Sequence, residues 1–297
     1  MLPEPHETGY YVNVASDVRL HVVAAGPHDG APLIFLHGFP EFWWCWRFQL
    51  RFFADKGYRV IAPDMRGFNY SDKPGTGYDP QTLAGDVVGL LDDMQYESAM
   101  LIGGDYGGIV AYATTILHPA RVRGLVTMNA LHPALWPIRR VSGKVGVRMF
   151  YLLGKMAHAL GNPALKAVNQ TIGLGWVMHL LAANREAWPQ NVRAAFSDAF
   201  RRSAGTATHY ALDATDWFYH HVPDDLTVTQ PLLVLWSKND VTAPLWWITR
   251  SIAETLPQAE LQIIDRAGHW LQQEQPEAVN EAIFNFLSRH YATNSTL

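Results

Sequence analysis

The stretch Leu101-Ile102-Gly103-Gly104-Asp105-Tyr106-Gly107-Gly108 constrains this chain more than any other. An apolar run, Ala99 to Ile102, ends in two glycines. Asp105 and Tyr106 follow, and a second glycine pair opens the run Ile109-Val110-Ala111-Tyr112-Ala113. Strand, sharp turn and helix in that order are the layout of a nucleophile elbow, where small neighbours let the backbone turn tightly and lift one side chain above a sheet. Serine usually stands at that point; here it is Asp105. A second reading is a glycine-rich strand-to-helix turn in which the aspartate caps the helix N-terminus. This stretch by itself leaves both open.

The rest of the chain shows what such a turn would belong to. Tyr10–Val14 and Val18–Ala24 read as a hairpin around Ser16-Asp17. Pro32–Leu36, Tyr58–Ala62, Ala99–Ile102, Val122–Met128, Leu232–Trp236 and Glu260–Ile264 read as short strands. Trp43–Ala54, Pro80–Met94, Gly107–Leu117, Pro244–Thr255 and Pro276–Ser288 read as helices between them. Such alternation implies a mostly parallel sheet covered on both faces. From His132 to His221 strands disappear, and Val147–Ala159, Leu165–Val168, Trp176–Ala183, Pro189–Ala199 and Thr206–Trp217 look helical. A helical insertion between two strands falls at their carboxyl ends, where α/β sheets bind ligands. The expected division is a core of residues 1–131 and 222–297 with residues 132–221 inserted as a helical cap, placed to be a lid.

Composition removes several function classes. A 48% apolar content is ample for a core, and the formal net charge of −4, with no basic cluster, gives no footprint for nucleic acid. The single cysteine, Cys45, excludes an internal disulfide framework and a cysteine-rich zinc site, and suits a reducing compartment. Met1-Leu2-Pro3-Glu4-Pro5 shows no secretory pattern, and the longest apolar stretch, near Leu174–Ala183, is too short to span a bilayer. The expectation is a soluble cytoplasmic protein, monomer or homodimer, without a membrane partner. Its 11 tryptophans suit core packing or an aromatic-lined pocket.

Three segments that each follow an expected strand decide the meaning of Asp105. Asp240 comes after Leu232–Asn239, where the chain leaves the active edge of the sheet; by itself it reads equally as a turn residue before Thr242 and Pro244. His269, in Asp265-Arg266-Ala267-Gly268-His269-Trp270, is a better base candidate than His118, His132 or His158, which read as capping or packing residues. His220-His221 has no cysteine or carboxylate at ligand spacing and reads as a solvated pair. The order Asp105, Asp240, His269 is the nucleophile–acid–base order of triads built on such sheets. Three placements on three strand ends favour the nucleophile. His37-Gly38-Phe39-Pro40 adds an oxyanion hole, with one N–H from Phe39 and the other from Tyr106. His37 reads as a structural residue bonding the loop, and Phe39-Pro40 as a candidate cis peptide.

With these segments in hand, His37-Gly38-Phe39-Pro40-Glu41, Asp64-Met65-Arg66-Gly67-Phe68-Asn69-Tyr70-Ser71-Asp72-Lys73-Pro74, Gly104-Asp105-Tyr106-Gly107-Gly108 and Gly268-His269-Trp270 resemble the motifs of the α/β-hydrolase-fold epoxide hydrolases. The match runs from about residue 10 to 290, tight in the core motifs and loose in the lid. The resemblance implies an eight-stranded, mostly parallel sheet with an inserted helical cap. It also implies two lid tyrosines that hold and protonate the epoxide oxygen. Arg148-Met149-Phe150-Tyr151 resembles the segment bearing the first. Phe200-Arg201-Arg202-Ser203, followed by His209-Tyr210, resembles the second, with shortened spacing and without the usual glycine-proline pair. Apart from the resemblance, Tyr151 and Tyr210 each read as a helix-face tyrosine packing on the lid.

The chemistry follows from an anionic nucleophile. Asp105 needs no base to activate it. A carboxylate attacking an sp³ carbon makes an ester and needs a competent leaving group, which a hydrogen-bonded epoxide oxygen supplies. His269, oriented by Asp240, then activates water to hydrolyse the ester. The product is a vicinal diol, and neither a metal nor an organic cofactor is required. A haloalkane dehalogenase is the nearest alternative, but that family usually has tryptophan after the nucleophile and asparagine in the early loop, where this chain has Tyr106 and Phe39. Fluoroacetate dehalogenases place arginine after the nucleophile. A non-catalytic ligand receptor on the same scaffold is the alternative from a different class. Phe39, Trp44, Tyr106, Trp136, Phe150 and Trp270 are the expected substrate contacts; Phe42, Met178 and Leu180 read as pocket or core.

Overall fold

Alternate residues of each central strand serve two different cores. In β3 (Pro32–Leu36), Leu33 and Phe35 face one side of the sheet and Ile34 and Leu36 the other, all but sealed from solvent. Near-continuous apolar runs of this kind are what a strand needs when helices cover both faces. The computed structural model describes residues 9–15, 17–135, 173–203, 223 and 225–291. Its strands are β1 (Tyr10–Ala15), β2 (Val18–Ala25), β3, β4 (Arg59–Pro63), β5 (Ala99–Gly104), β6 (Val122–Met128), β7 (Leu232–Ser237) and β8 (Glu260–Ile264). They form one eight-stranded sheet in the order β1-β2-β4-β3-β5-β6-β7-β8. The hairpin β1–β2 and the β2–β4 pair are antiparallel; every pair from β4 to β8 is parallel.

The helices are α1 (Arg47–Asp55), α2 (Pro80–Asp93), α3 (Asp105–Leu117), α4 (Leu174–Leu181), α5 (Gln190–Ser203), α6 (Leu245–Thr255), α7 (Leu271–Glu274) and α8 (Pro276–His290). The core on one face holds Leu50 and Phe53 of α1 and Ile283, Phe286 and Leu287 of α8. The core on the other holds Leu83, Val87 and Leu90 of α2, Val110 of α3 and Ile248 of α6. The first core continues into α4 and α5, where Met178, Val192, Phe196 and Ala199 are buried with Phe42, Trp44 and Trp270. That continuity fixes α4 and α5 over the carboxyl end of the sheet.

The structure differs from the sequence reading in three local ways. The expected helix from Trp43 begins as a 3₁₀ turn, Trp43–Trp46, before α1. Asp64 accepts the Trp43 N–H at 3.0 Å, and all four residues of the turn are buried, an outcome the tighter winding suits because its side chains fan out in three directions. β5 runs on through Gly104 and α3 starts at Asp105, so the turn between them uses no residue of its own. A short helix, α7, follows Trp270 with no periodic signal to announce it. The segments Val147–Ala159, Leu165–Val168 and Thr206–Trp217 lie outside the described residues.

Candidate active site

The turn at the end of β5 is set by steric necessity. A Cβ on Gly107 would lie 2.1 Å from the Leu36 carbonyl oxygen and 2.5 Å from its carbon, so α3 can pass β3 only without a side chain there. Gly104 is the helix N-cap and makes no side-chain cap bond. Asp105 is therefore not the cap; it is the first helical residue, with φ +47°. A non-glycine residue in the left-handed region costs on the order of 1 kcal/mol and is found where the surroundings over-determine it. The result is a carboxylate lifted off the sheet, its side chain 30% exposed.

Three elements converge on that carboxylate. The Phe39 N–H, from the loop after β3, donates to Oδ2 at 2.9 Å, and the Tyr106 N–H also donates to the carboxylate. His269, from the loop after β8, places Nε2 3.5 Å from Oδ1. On its other edge His269 Nδ1 lies 3.1 Å from Asp240 Oδ1. Asp240 is sealed from solvent and held by its neighbour: the Thr242 N–H donates to Oδ1 at 2.9 Å and the Thr242 hydroxyl to Oδ2 at 2.8 Å. The turn-residue reading and the acid reading of Asp240 thus describe one geometry. The accessible carboxylate faces the reaction space, and the inaccessible one is shared between the imidazole and Thr242.

The charges support each other. Burial opposes a charge on His269, yet Asp240 and Asp105 on its two edges raise its pKa well above the usual histidine value. Burial likewise opposes a charge on Asp105, but the His269 hydrogen bond and charge, with the Phe39 and Tyr106 N–H groups, hold it below the ordinary carboxylate range. Both shifts favour an ionised Asp105 beside a protonated His269 at one end of a row that Asp240 completes.

The remaining expected residues fall in different places. Phe39 packs edge-on against Phe68 and Phe200, its peptide bond to Pro40 cis. The Tyr106 hydroxyl donates to the Tyr78 carbonyl at 3.0 Å, which ties its ring into the core. Trp44 stacks on Phe42, carries the Arg47 guanidinium on its face and meets Phe196 of α5. Trp270 lies between His269 and Trp188. Phe42 and Met178 are buried, and Leu180 is 47% exposed. His37 ties its own loop to the one after β4, with Nδ1 on the Gly38 carbonyl and Nε2 accepting the Met65 N–H at 2.9 Å. Tyr151, Tyr210, Trp136, Phe150, His158 and the pair His220-His221 lie outside the described residues. Among the described residues no cluster of His, Cys, Asp or Glu is arranged to hold a metal ion.

Comparison with known proteins places this geometry. A family model described as the alpha/beta hydrolase fold matches residues 31–276. The chain is 34% identical to Epoxide hydrolase A of Mycobacterium tuberculosis, across 91% of this chain and 94% of that protein. It is 32% identical to Epoxide hydrolase 4 of Homo sapiens, across 94% of this chain and 79% of the other. It superposes on the crystal structure of Epoxide Hydrolase A from Mycobacterium thermoresistibile with a TM-score of 0.73 at 25% identity, covering 94% and 97% of the two chains. The chain belongs to the α/β-hydrolase-fold epoxide hydrolases.

In this member of the family, two residues that brace the site have no role in the sequence reading. Asn129, just past β6, accepts the Ser237 N–H at 2.9 Å and donates Nδ2 to the His269 carbonyl at 2.8 Å and the Gly268 carbonyl at 3.2 Å. Its position at a strand end, like those of Asp105 and Asp240, was the available clue. Glu41, within the His37–Glu41 motif, is buried and accepts the Gly38 N–H at 3.1 Å and the Gln272 side-chain amide at 2.8 Å. Burial is the main cause that pushes its pKa up to about 7, and the nearby Asp105 charge adds to it.

Proposed function

We propose that this hydrolase converts epoxides to vicinal diols through a covalent ester on Asp105. The observation that carries the reading is the Asp105 carboxylate itself, held by the Phe39 and Tyr106 N–H groups and facing His269 Nε2. Residues 132–221 act as a cap on a core formed by residues 1–131 and 222–297. The cap supplies Tyr151 and Tyr210 to the epoxide oxygen. As Asp105 forms its bond to a ring carbon, the carbon–oxygen bond breaks and the oxygen takes a proton from a tyrosine.

Ester formation then changes the base. Esterified Asp105 is neutral, so one of the two charges that raise the His269 pKa is gone. The imidazolium gives up its proton, which returns to the tyrosinate through solvent, and His269 becomes a neutral base fixed by Asp240. It takes a proton from water, and the hydroxide adds to the carboxyl carbon of Asp105. The oxyanion forms where the Phe39 and Tyr106 N–H groups already point. Collapse expels the diol alkoxide, which takes the proton from His269. The carboxylic acid left on Asp105 passes its proton back to His269, and the resting row is restored.

The setting we assign is cytoplasmic. Cys45 is free and buried, and no helix among the described residues is long and apolar enough to cross a membrane.

A single turnover of excess enzyme with styrene oxide in ¹⁸O-water tests the mechanism. The first-turnover diol is expected to carry unlabelled oxygen at its new hydroxyl, with the label in Asp105. Label appearing directly in that diol removes the covalent step. His269→Gln is expected to accumulate the ester. Halide release from chlorinated alkanes, without diol from epoxides, would turn the reading to a dehalogenase.

A further inference from the structure

The loop that carries His269 is held by a carboxylate the reaction above does not use. Glu274, the last residue of α7, is 2% exposed. Its Oε2 accepts the Gly268 N–H at 2.9 Å and the Asn184 N–H at 2.8 Å, and the N–H groups of Trp270 and Ala183 also turn toward the carboxylate. Asn184 returns a bond from Nδ2 to the Glu274 carbonyl at 3.0 Å, and the adjacent Gln273 donates Nε2 to the Ala187 carbonyl at 2.5 Å. The two strands of chain meet so closely that a Cβ on Gly268 would lie 2.9 Å from the Ala183 nitrogen. One buried carboxylate therefore gathers N–H groups from two pieces of chain remote in sequence. One is the loop next to the base. The other is the turn after α4, in the segment read above as the cap.

Losing a buried acceptor leaves its donors unsatisfied. A seam needing only packing would be apolar, as it is a few residues away where Trp188 meets Trp270. We propose that Glu274 is a positioning residue for the hydrolytic step: it locks the Gly268–His269 loop to the Ala183–Asn184 turn, so that His269 is aligned on Asp105 only while that turn is seated. The proposal rests on the covalent mechanism above. Attack by Asp105 needs no base, so loss of the lock falls on the second half-reaction, where a small misplacement of the base is costly.

The experiment is a rapid-quench measurement of ester formation and ester decay with styrene oxide, normalised to active sites. It compares the wild-type chain with Glu274→Gln and Asn184→Ala. In Glu274→Gln an amide NH₂ replaces one acceptor among N–H donors. Ester decay is expected to slow about 10-fold, with ester formation within about two-fold of wild type. kcat and KM then fall together while kcat/KM holds, a pattern that general loosening of the fold does not produce. Asn184→Ala keeps the backbone N–H and loses one bond, and is expected to slow ester decay about three-fold. Unchanged ester decay in Glu274→Gln, or equal slowing of both steps, overturns the proposal. If Glu274→Gln does not fold, unchanged ester decay in Asn184→Ala overturns it. If the wild-type chain forms no ester, the covalent reading falls and this proposal with it.

Discussion

Asp105 and His269 sit 3.5 Å apart and are held by opposite means. The nucleophile is fixed by what cannot be there: side chains are excluded at Gly103, Gly107 and Gly108 around it, and the backbone is forced through a left-handed residue. The base is fixed by what reaches it from elsewhere: Asp240 on its ring, Asn129 on its carbonyl and Glu274 on the preceding N–H. Steric exclusion has no intermediate setting. A hydrogen-bonded loop can be loosened one bond at a time. The two regions are therefore expected to fail differently, the elbow abruptly and the base loop by degrees.

The largest effect is expected from the elbow. Gly107→Ala puts a methyl group 2.1 Å from a backbone oxygen of β3, and no flexible side chain is present to yield. Overpacking against backbone of this kind is expected to cost at least about 3 kcal/mol. Urea unfolding should show that loss together with disappearance of diol formation. A variant that folds within about 1 kcal/mol of the native chain and still turns over would show that β3 and α3 slide apart easily, and the contrast between the regions would be gone.

One buried side chain qualifies the picture on the elbow side. Glu41 braces Gly38, next to the Phe39 N–H, and burial pushes its pKa to about 7. In the folded chain it holds a proton that the unfolded chain releases near the ordinary carboxylate value. Its stabilising contribution is then complete below about pH 4.5 and is lost as pH rises through about 7. Between pH 5 and 8 the wild-type chain is expected to lose about 2 to 3 kcal/mol relative to Glu41→Gln, which carries no titrating proton. Parallel stability curves for the two proteins across that range would contradict it.

The same contrast explains how much of the molecule is legible in its sequence. Glycines at 103, 107 and 108 announce the elbow because exclusion is written locally, in the residues that must be small. The parallel sheet is legible for a similar reason: strands covered on both faces are short apolar runs, and β3 through β7 show this. The 3₁₀ turn at Trp43 was not legible, because its cap comes from Asp64, a residue of another loop. Asn129 and Glu274 were missed for that reason as well. Asn129 lies 140 residues from His269, and nothing near either residue in the chain reports that they meet. Asp240 was visible as a candidate, but its bond to Thr242 is also what an ordinary turn would show, and only the distance to His269 separates the two uses.

Asn129 gives the intermediate effect. Its φ is +45°, so glycine is the substitution that removes the side chain without adding backbone strain. Asn129→Gly is expected to cost about 2 kcal/mol, because the buried carbonyl of His269 and the N–H of Ser237 lose their partner. Ester decay should slow more than ester formation. Equal slowing of the two steps would mean that Asn129 supports the sheet edge and not the base.

The smallest effect gives the finest test of a graded loop. Thr242 holds Asp240 twice, by its N–H on Oδ1 and its hydroxyl on Oδ2. Oδ1 also accepts His269 Nδ1, so the hydroxyl acts on the base only by fixing the far oxygen of the carboxylate. Thr242→Val keeps the shape and the N–H and deletes that one bond. A single hydrogen bond to a charged group, with its backbone counterpart intact, is worth about 1 kcal/mol in orientation, so ester decay should slow roughly five-fold with stability nearly unchanged. Thr242→Ser, which restores a hydroxyl, should recover most of the rate. If Thr242→Val traps the ester as fully as His269→Gln, the loop fails all at once and resembles the elbow after all. If the rate is unaffected, the N–H alone fixes Asp240 and the grading stops at His269 itself.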